Sequence, residues 1–274
     1  MVSVVILTKN EELDLPGCIE SVRWTDDVHV FDSFSSDRTI QIAQSLGAVL
    51  HQRIFDGYAT QRNASLHDVS YKYPWVLILD ADERVPPPLA EEIRRFVSQA
   101  HKQPNVVACR LRRRDFFMGR WLKHAQISPF YIRLVRPEAV RFEREINEVL
   151  RVDGEVIELS EPFDHFPFSK GLSHWIAKHN SYSSMEAEVL IDASSGSWWQ
   201  DFTSLMAASD FNSRRYFQKR LFYRIPGRPL LKLAYMLVIR RAFLDGRPGL
   251  TYALLQTIYE YFISVKHREL RDAQ

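Results

Sequence analysis

Along the first hundred residues, short apolar runs alternate with amphipathic stretches, and each run stops abruptly at polar side chains. Residues 75–79 (WVLIL) are wholly apolar, the pattern of a strand buried on both faces, residues 2–7 (VSVVIL) are a β-branched run that reads as the first buried strand, and 28–31 and 48–51 are shorter strand candidates. The stretches between them read as helices. Residues 13–22 carry Pro16 in their first turn, where a missing N–H does no harm. Residues 38–46 place Ile40, Ile42, Ala43 and Leu46 roughly on one face, with Ser36 or Asp37 as the cap and Gly47 as the stop. Residues 55–63 form a loop and a helix start, and Pro86, Pro87 and Pro88 open a helix over 89–99. The alternation predicts an α/β fold with a parallel, doubly wound sheet.

Past residue 100 the regularity ends. Residues 106–112 and 131–136 read as strands, and 149–159 as a hairpin turning at Asp153 and Gly154, so the sheet is expected to become mixed. Helical spacing over 169–191 is broken by the run SSGS at 194–197. The predicted organisation is a catalytic domain over 1–193 and a helical C-terminal extension over 194–274.

Polar clusters follow the four early strands at 8–12, 32–37, 56–63 and 80–83. Parallel strands bring all four to one sheet edge, where ligands of open α/β sheets bind. No glycine-rich phosphate loop accompanies the first strand, so a bound nucleotide needs a metal. Asp80 and Asp82, one alanine apart, can aim oxygens at a hard cation that in turn holds a diphosphate. The bland alternative is that Asp80 caps the next helix and the other carboxylates are solvated.

The strings VSVVILTKNEE, VFDSFSSDRT, YATQRNASL and WVLILDADERV, followed by INEVLRVDG, the Phe163, Asp164, His165 segment and AFLDGRPG, resemble the family 2 glycosyltransferases of GT-A fold. Their nearest likeness is to the lipopolysaccharide core β-1,4-glucosyltransferase branch. The resemblance implies a mixed, mainly parallel sheet with flanking helices, and inverting transfer of a hexose from a nucleotide sugar, UDP-linked, to a glycan or lipid-linked acceptor of the bacterial surface. It implies that Thr8 and Glu11 line the nucleotide pocket, that Asp32 receives the base, and that Arg62 reaches the nucleotide or diphosphate. Asp80 and Asp82 stand at the metal-binding D-x-D, with Asp82 the direct ligand, His165 completing the metal site, and Mg²⁺ or Mn²⁺ as cofactor. Glu148 stands at the catalytic base, with Glu143 and Glu145 as alternatives. Trp121, His124 and Arg133 fall where acceptor contacts can lie. Phe34 occupies a position where the family more often has glycine, and Asn147 one where it more often has histidine.

Charge adds a second theme. The formal net charge is +2, yet residues 211–244 contain no acid, and their arginines and lysines interleave with Tyr216, Phe217, Phe222 and Tyr223. This suits an anionic membrane surface, and neither apolar C-terminal stretch reaches the roughly 20 residues needed to span a bilayer. Nucleic acid is not expected, because the carboxylate-rich sheet edge would repel a phosphate backbone. Only Cys18 and Cys109 occur, and residues 3–7 are too short for the apolar core of a secretory leader. The expected location is cytoplasmic, peripheral at the inner face of the cell membrane. A nucleotidyltransferase and a non-catalytic membrane-surface adaptor are the rival readings.

Overall fold

The structure is a computed structural model and describes residues 1–143, 149–193, 198–207, 214, 217, 221, 225 and 227–273. In chain order the first part is β1 (Ser3–Thr8), α1 (Leu15–Ser21), β2 (Val28–Asp32), α2 (Thr39–Ser45), β3 (Val49–Gln52), α3 (Tyr58–His67), β4 (Val76–Asp80), β5 (Glu83–Arg84) and α4 (Pro87–Gln99). There follow β6 (Val106–Phe117), β7 (Arg120–Trp121), β8 (Phe130–Val135), β9 (Val140–Glu143), β10 (Val149–Val152), β11 (Glu155–Glu158) and β12 (Phe163–His165). The described helices after them are α5 (Gly171–Ala193), α6 (Trp198–Ala207), α7 (Arg228–Ala234) and α8 (Gly246–Asp272).

The chain forms two compact units, residues 1–116 with 128–169, and residues 117–127 with 170–274. By packing, the division falls earlier than residue 193, because α5 lies along α8 in the second unit. There Lys266 Nζ donates to Asn180 Oδ1 at 2.7 Å and to Ser183 Oγ at 2.8 Å.

In the first unit the sheet order is β3-β2-β1-β4-β8-β6-β12-β5. The first four strands are parallel, β8 is antiparallel to β4 and β6, and β12 is parallel to β6. The mixed, mainly parallel sheet expected from the sequence is therefore what forms. Alternate residues of β1 and β4 feed two cores. Val4, Ile6, Leu77 and Leu79 pack with Leu15 and Ile19 of α1 and with Leu89 and Ile93 of α4. Val5, Val76 and Ile78 pack with Ala64 and Leu66 of α3 on the other face. Each fully buried side chain of this size contributes about 1.5–3 kcal/mol, so these two strands anchor the unit.

Helix ends follow the expected chemistry. Asp37 Oδ1 accepts the Thr39 N–H at 3.0 Å where α2 begins, and Gly47, with φ of 78°, ends it. The expected hairpin at Asp153 and Gly154 does not form. Instead β10 pairs antiparallel with β9 in a separate two-stranded sheet, while β11 runs parallel to β6. Gly154, with φ of 148°, makes that transfer against Val107, whose Cγ2 would lie 2.7 Å from an added Cβ. Cys18 and Cys109 are both buried free thiols, as expected of a chain without a disulfide framework, and burial pushes the Cys109 thiol up to about 12.

Candidate active site

Parallel pairing sets Thr8, Asp32 and Asp80 at the same ends of β1, β2 and β4. The first two polar loops brace each other there. Asp32, fully buried, accepts Thr8 Oγ1 at 2.9 Å and Ser35 Oγ at 2.5 Å on one oxygen, and the Ser35 N–H at 2.8 Å on the other. Lys9 Nζ donates to the carbonyls of Ser33 and Phe34 at 2.8 and 2.7 Å. Phe34 is left-handed, with φ of 57°, which is the geometry that makes glycine common at such a position. The Glu11 N–H donates to Thr39 Oγ1 at 2.8 Å, and its carbonyl accepts the Asp14 and Leu15 N–H groups that open α1. Gln61 Nε2 of α3 donates to Ser33 Oγ at 3.0 Å and joins the third polar cluster to the second.

The carboxylates after β4 have distinct partners. Asp80 Oδ1 lies 3.2 Å from Arg62 Nη2 and its Oδ2 lies 3.0 Å from Arg133 Nη2. Burial favours the neutral acid, but the two guanidiniums outweigh it and hold this carboxyl well below the usual range. Glu83 is buried. It accepts the Asp80 N–H at 3.0 Å on one oxygen and pairs with Arg133 through the other. Burial, reinforced by Asp80 and Asp82, lifts Glu83 to about 7 against the opposing pull of Arg133. Arg133 is itself buried against the rings of Tyr131 and Phe163, at 5.5 and 5.6 Å from their centroids. It is the cation that pairs with Asp80 and Glu83 of the D-x-D loop. Arg84 turns the other way, donating to the Asp14 carbonyl at 2.9 Å across Gly17.

Asp82 meets His165 because three strands share one register. His165 pairs across β12 and β5 with Glu83, and across β12 and β6 with Asp115. His165 Nε2 lies 3.3 Å from Asp82 Oδ2, and its Nδ1 lies 2.5 Å from Asp115 Oδ1. A carboxylate can only accept, so Nδ1 carries a proton and Nε2 is the nitrogen aimed at Asp82. Burial works against the charged ring, yet Asp115 and Asp82 together push His165 up to about 9. Asp115 is buried, pairs with Arg113 whose Nε lies 3.0 Å from its Oδ1, and accepts Arg113 Nη2 at 3.4 Å on Oδ2.

These residues suit a divalent cation. One carboxylate oxygen and one imidazole nitrogen converge, and the imidazole is oriented from behind by a carboxylate, a common arrangement at metal-binding histidines. Among the described residues no three carboxylate, imidazole or thiol groups converge on one metal position. Asp80 and Glu83 are committed to arginines, so the remaining ligands would come from a diphosphate and water. The expected base, Glu148, lies outside the described residues, as does Glu145. Glu143 is described and pairs with Arg151 Nη1 at 3.2 Å on the surface.

A family model described as glycosyl transferase family 2 matches residues 3–155, more than half of the chain and the part that carries Thr8, Asp32, Arg62, Asp80 and Asp82. The chain belongs to that family. An uncharacterised glycosyltransferase of Rickettsia typhi is 30% identical over 69% of this chain and 68% of its own length. The lipopolysaccharide core biosynthesis glycosyltransferase LpsC of Rhizobium meliloti is 27% identical over 70% of this chain and 72% of its own. Glucosyl-3-phosphoglycerate synthase of Mycobacterium tuberculosis, solved with Mn²⁺, UDP and glucosyl-3-phosphoglycerate, overlaps 43% of this chain and 44% of that one at 23% identity and a TM-score of 0.33. In this family 2 glycosyltransferase, sequence reading missed Asp115 and the pairing of Arg133 with Asp80 and Glu83. The signal for Asp115 was present, because it follows Leu111 and Arg113 at inward-facing, period-two positions of β6, where a lone carboxylate needs a partner.

Proposed function

We propose that this family 2 glycosyltransferase is an inverting hexosyltransferase. It moves a hexose from a nucleotide sugar, UDP-linked, to a glycan or lipid-linked acceptor in bacterial cell-surface polysaccharide or lipopolysaccharide assembly. It works at the inner face of the cell membrane; no helix among the described residues is long and apolar enough to cross one. The observation that carries the catalytic reading is the Asp82 and His165 pair, 3.3 Å apart and backed by Asp115.

Asp82 and His165 would hold Mg²⁺ or Mn²⁺, which when bound neutralises charge on the departing diphosphate. Arg62, held against Asp80 and less buried than Arg133, is the cation at the D-x-D offered to a nucleotide phosphate. Thr8, Glu11 and Asp32 form the base and ribose side of the pocket. Asp32 retains acceptor capacity for a uracil N–H, since a carboxylate has about four acceptor sites and three are in use. Glu148 takes the proton of the acceptor hydroxyl, whose oxygen attacks the anomeric carbon from the face opposite the nucleotide diphosphate as the bond from that carbon to the diphosphate breaks.

The test is hydrolysis and transfer of UDP-hexoses with Mn²⁺ or Mg²⁺. Wild type is expected to release UDP, and Asp82→Ala to lose at least about 100-fold in rate, the scale of a lost metal contact. Unchanged turnover in the variant would remove the metal assignment. Release of pyrophosphate in place of UDP would make the protein a nucleotidyltransferase.

A further inference from the structure

We propose that the turn joining α7 to α8, together with the segment 117–127 that is hydrogen-bonded to it, is the edge of the second unit that inserts into an anionic lipid bilayer. The proposal deepens the membrane-face reading above by naming the surface and its partner.

The first observation is exposure. Leu230, Val238, Ile239 and Phe243 are 71, 68, 68 and 52% exposed, and Met118 of the paired segment is 66% exposed. Isolated apolar side chains at a surface are ordinary, but Val238, Ile239, Phe243 and Leu244 crowd into seven consecutive residues. The second observation is charge. Within 117–127 and 227–250 the one acid is Asp245, and it is buried. Every exposed charge there is a cation: Arg120, Lys123, Arg241 and Arg247.

The edge is built, not loose. Asp245 Oδ2 accepts the backbone N–H groups of His124 and Ala125 at 2.9 and 2.7 Å. Arg120 Nη2 donates to the Leu244 carbonyl at 3.1 Å, and Arg240 Nη2 to the Gln126 carbonyl at 2.8 Å. A π turn over Tyr235–Ile239, a left-handed Arg241 and a 3-10 turn over Ala242–Asp245 hold the apolar side chains outward. The buried acid therefore fastens the two segments together and leaves the outer surface cationic.

Charge selects the occupant. A second copy would present the same arginines and lysines to one another, whereas anionic headgroups neutralise them while the apolar side chains enter the acyl boundary. No described helix can span the bilayer, so the contact is interfacial.

The experiment is sedimentation of the full chain with phosphatidylcholine vesicles, with and without phosphatidylglycerol, alongside nucleotide-sugar hydrolysis in solution. Wild type is expected to sediment with the anionic vesicles and to be released at about 0.5 M salt, where screening falls to a few ångströms. Val238→Glu with Ile239→Glu is expected to abolish sedimentation, with hydrolysis and melting temperature unchanged. Arg247→Gln, and Arg241→Gly, which suits the left-handed backbone, are each expected to weaken binding about fivefold. Wild type left in the supernatant at low salt would overturn the proposal, as would a double glutamate variant that sediments normally. Wild type that is dimeric in solution, and that the glutamates render monomeric, would assign the surface to a second copy and overturn it equally. Loss of hydrolysis in wild type would refute the enzymatic reading and leave the vesicle result to decide this one.

Discussion

Two carboxylates converge on His165, and that geometry sets both its charge and its availability to a metal. The ring titrates at about 9 in the fold against an ordinary 6.5. Its contribution to stability is therefore fully present below about pH 6.5 and fades as pH rises through 9. In the presence of a chelator, His165→Gln is expected to lower the melting temperature most near pH 6.5 and least above pH 9; a difference that stays constant with pH would contradict this. Asp115 acts through the imidazole. Asp115→Asn is expected to weaken Mn²⁺ binding in the presence of UDP by about 10–100-fold while leaving affinity for UDP alone unmoved, as titration calorimetry would show. Arg133 is a different case, because it neutralises carboxylates that are buried with it. Arg133→Met should destabilise by about 3–5 kcal/mol at pH 8, and less at pH 5.5, where Glu83 is protonated and no longer a buried charge. Urea unfolding at the two pH values reads the difference, and Glu83→Gln in the same chain should recover part of the loss.

Among the elements, the sequence-readable ones are those whose burial is periodic. β1 and β4 were legible because runs of four and five apolar residues, VVIL and WVLIL, suit a short strand covered on both faces, and the helices between them fixed the parallel order. The polar ends of those strands were legible for the same reason. β5 and β12, two and three residues long, have no period to read, and yet their pairing puts His165 beside Asp82 and Asp115. Asp153 and Gly154 carried a strong local turn signal, but the choice of partner strand was tertiary. β10 found β9, β11 found β6, and the glycine serves the jump between sheets. The α7–α8 turn illustrates the same limit. The local sequence marks a polar turn through Gly249, but not that a Cβ there would collide with the Ala242 carbonyl oxygen. Gly249→Ala is expected to cost about 1–3 kcal/mol by forcing the turn off the start of α8, measured by thermal or urea unfolding of the full chain.

At the scale of the whole molecule, the residues assigned to donor and metal, Thr8 to His165, lie in the first unit, while the apolar and cationic edge belongs to the second. This division lets the donor site be tested without lipid. Asp82 and His165 are the pair assigned to the cation, among the described residues no group of three ligands converges on it, and two protein ligands fall short of the roughly six that Mg²⁺ or Mn²⁺ favours. Metal and diphosphate should therefore complete each other's site, which is a coupling free energy and acts equally in both directions. Mn²⁺ alone and UDP alone are each expected to move the melting temperature little. Together, at about a hundredfold excess over the dissociation constant, they should stabilise the fold by about 2.7 kcal/mol. Asp82→Ala should abolish the synergy and keep the small effect of UDP. If Mn²⁺ alone stabilised wild type as much as the pair does, the metal would have a complete site of protein ligands, and the diphosphate would not be needed to fill its coordination shell.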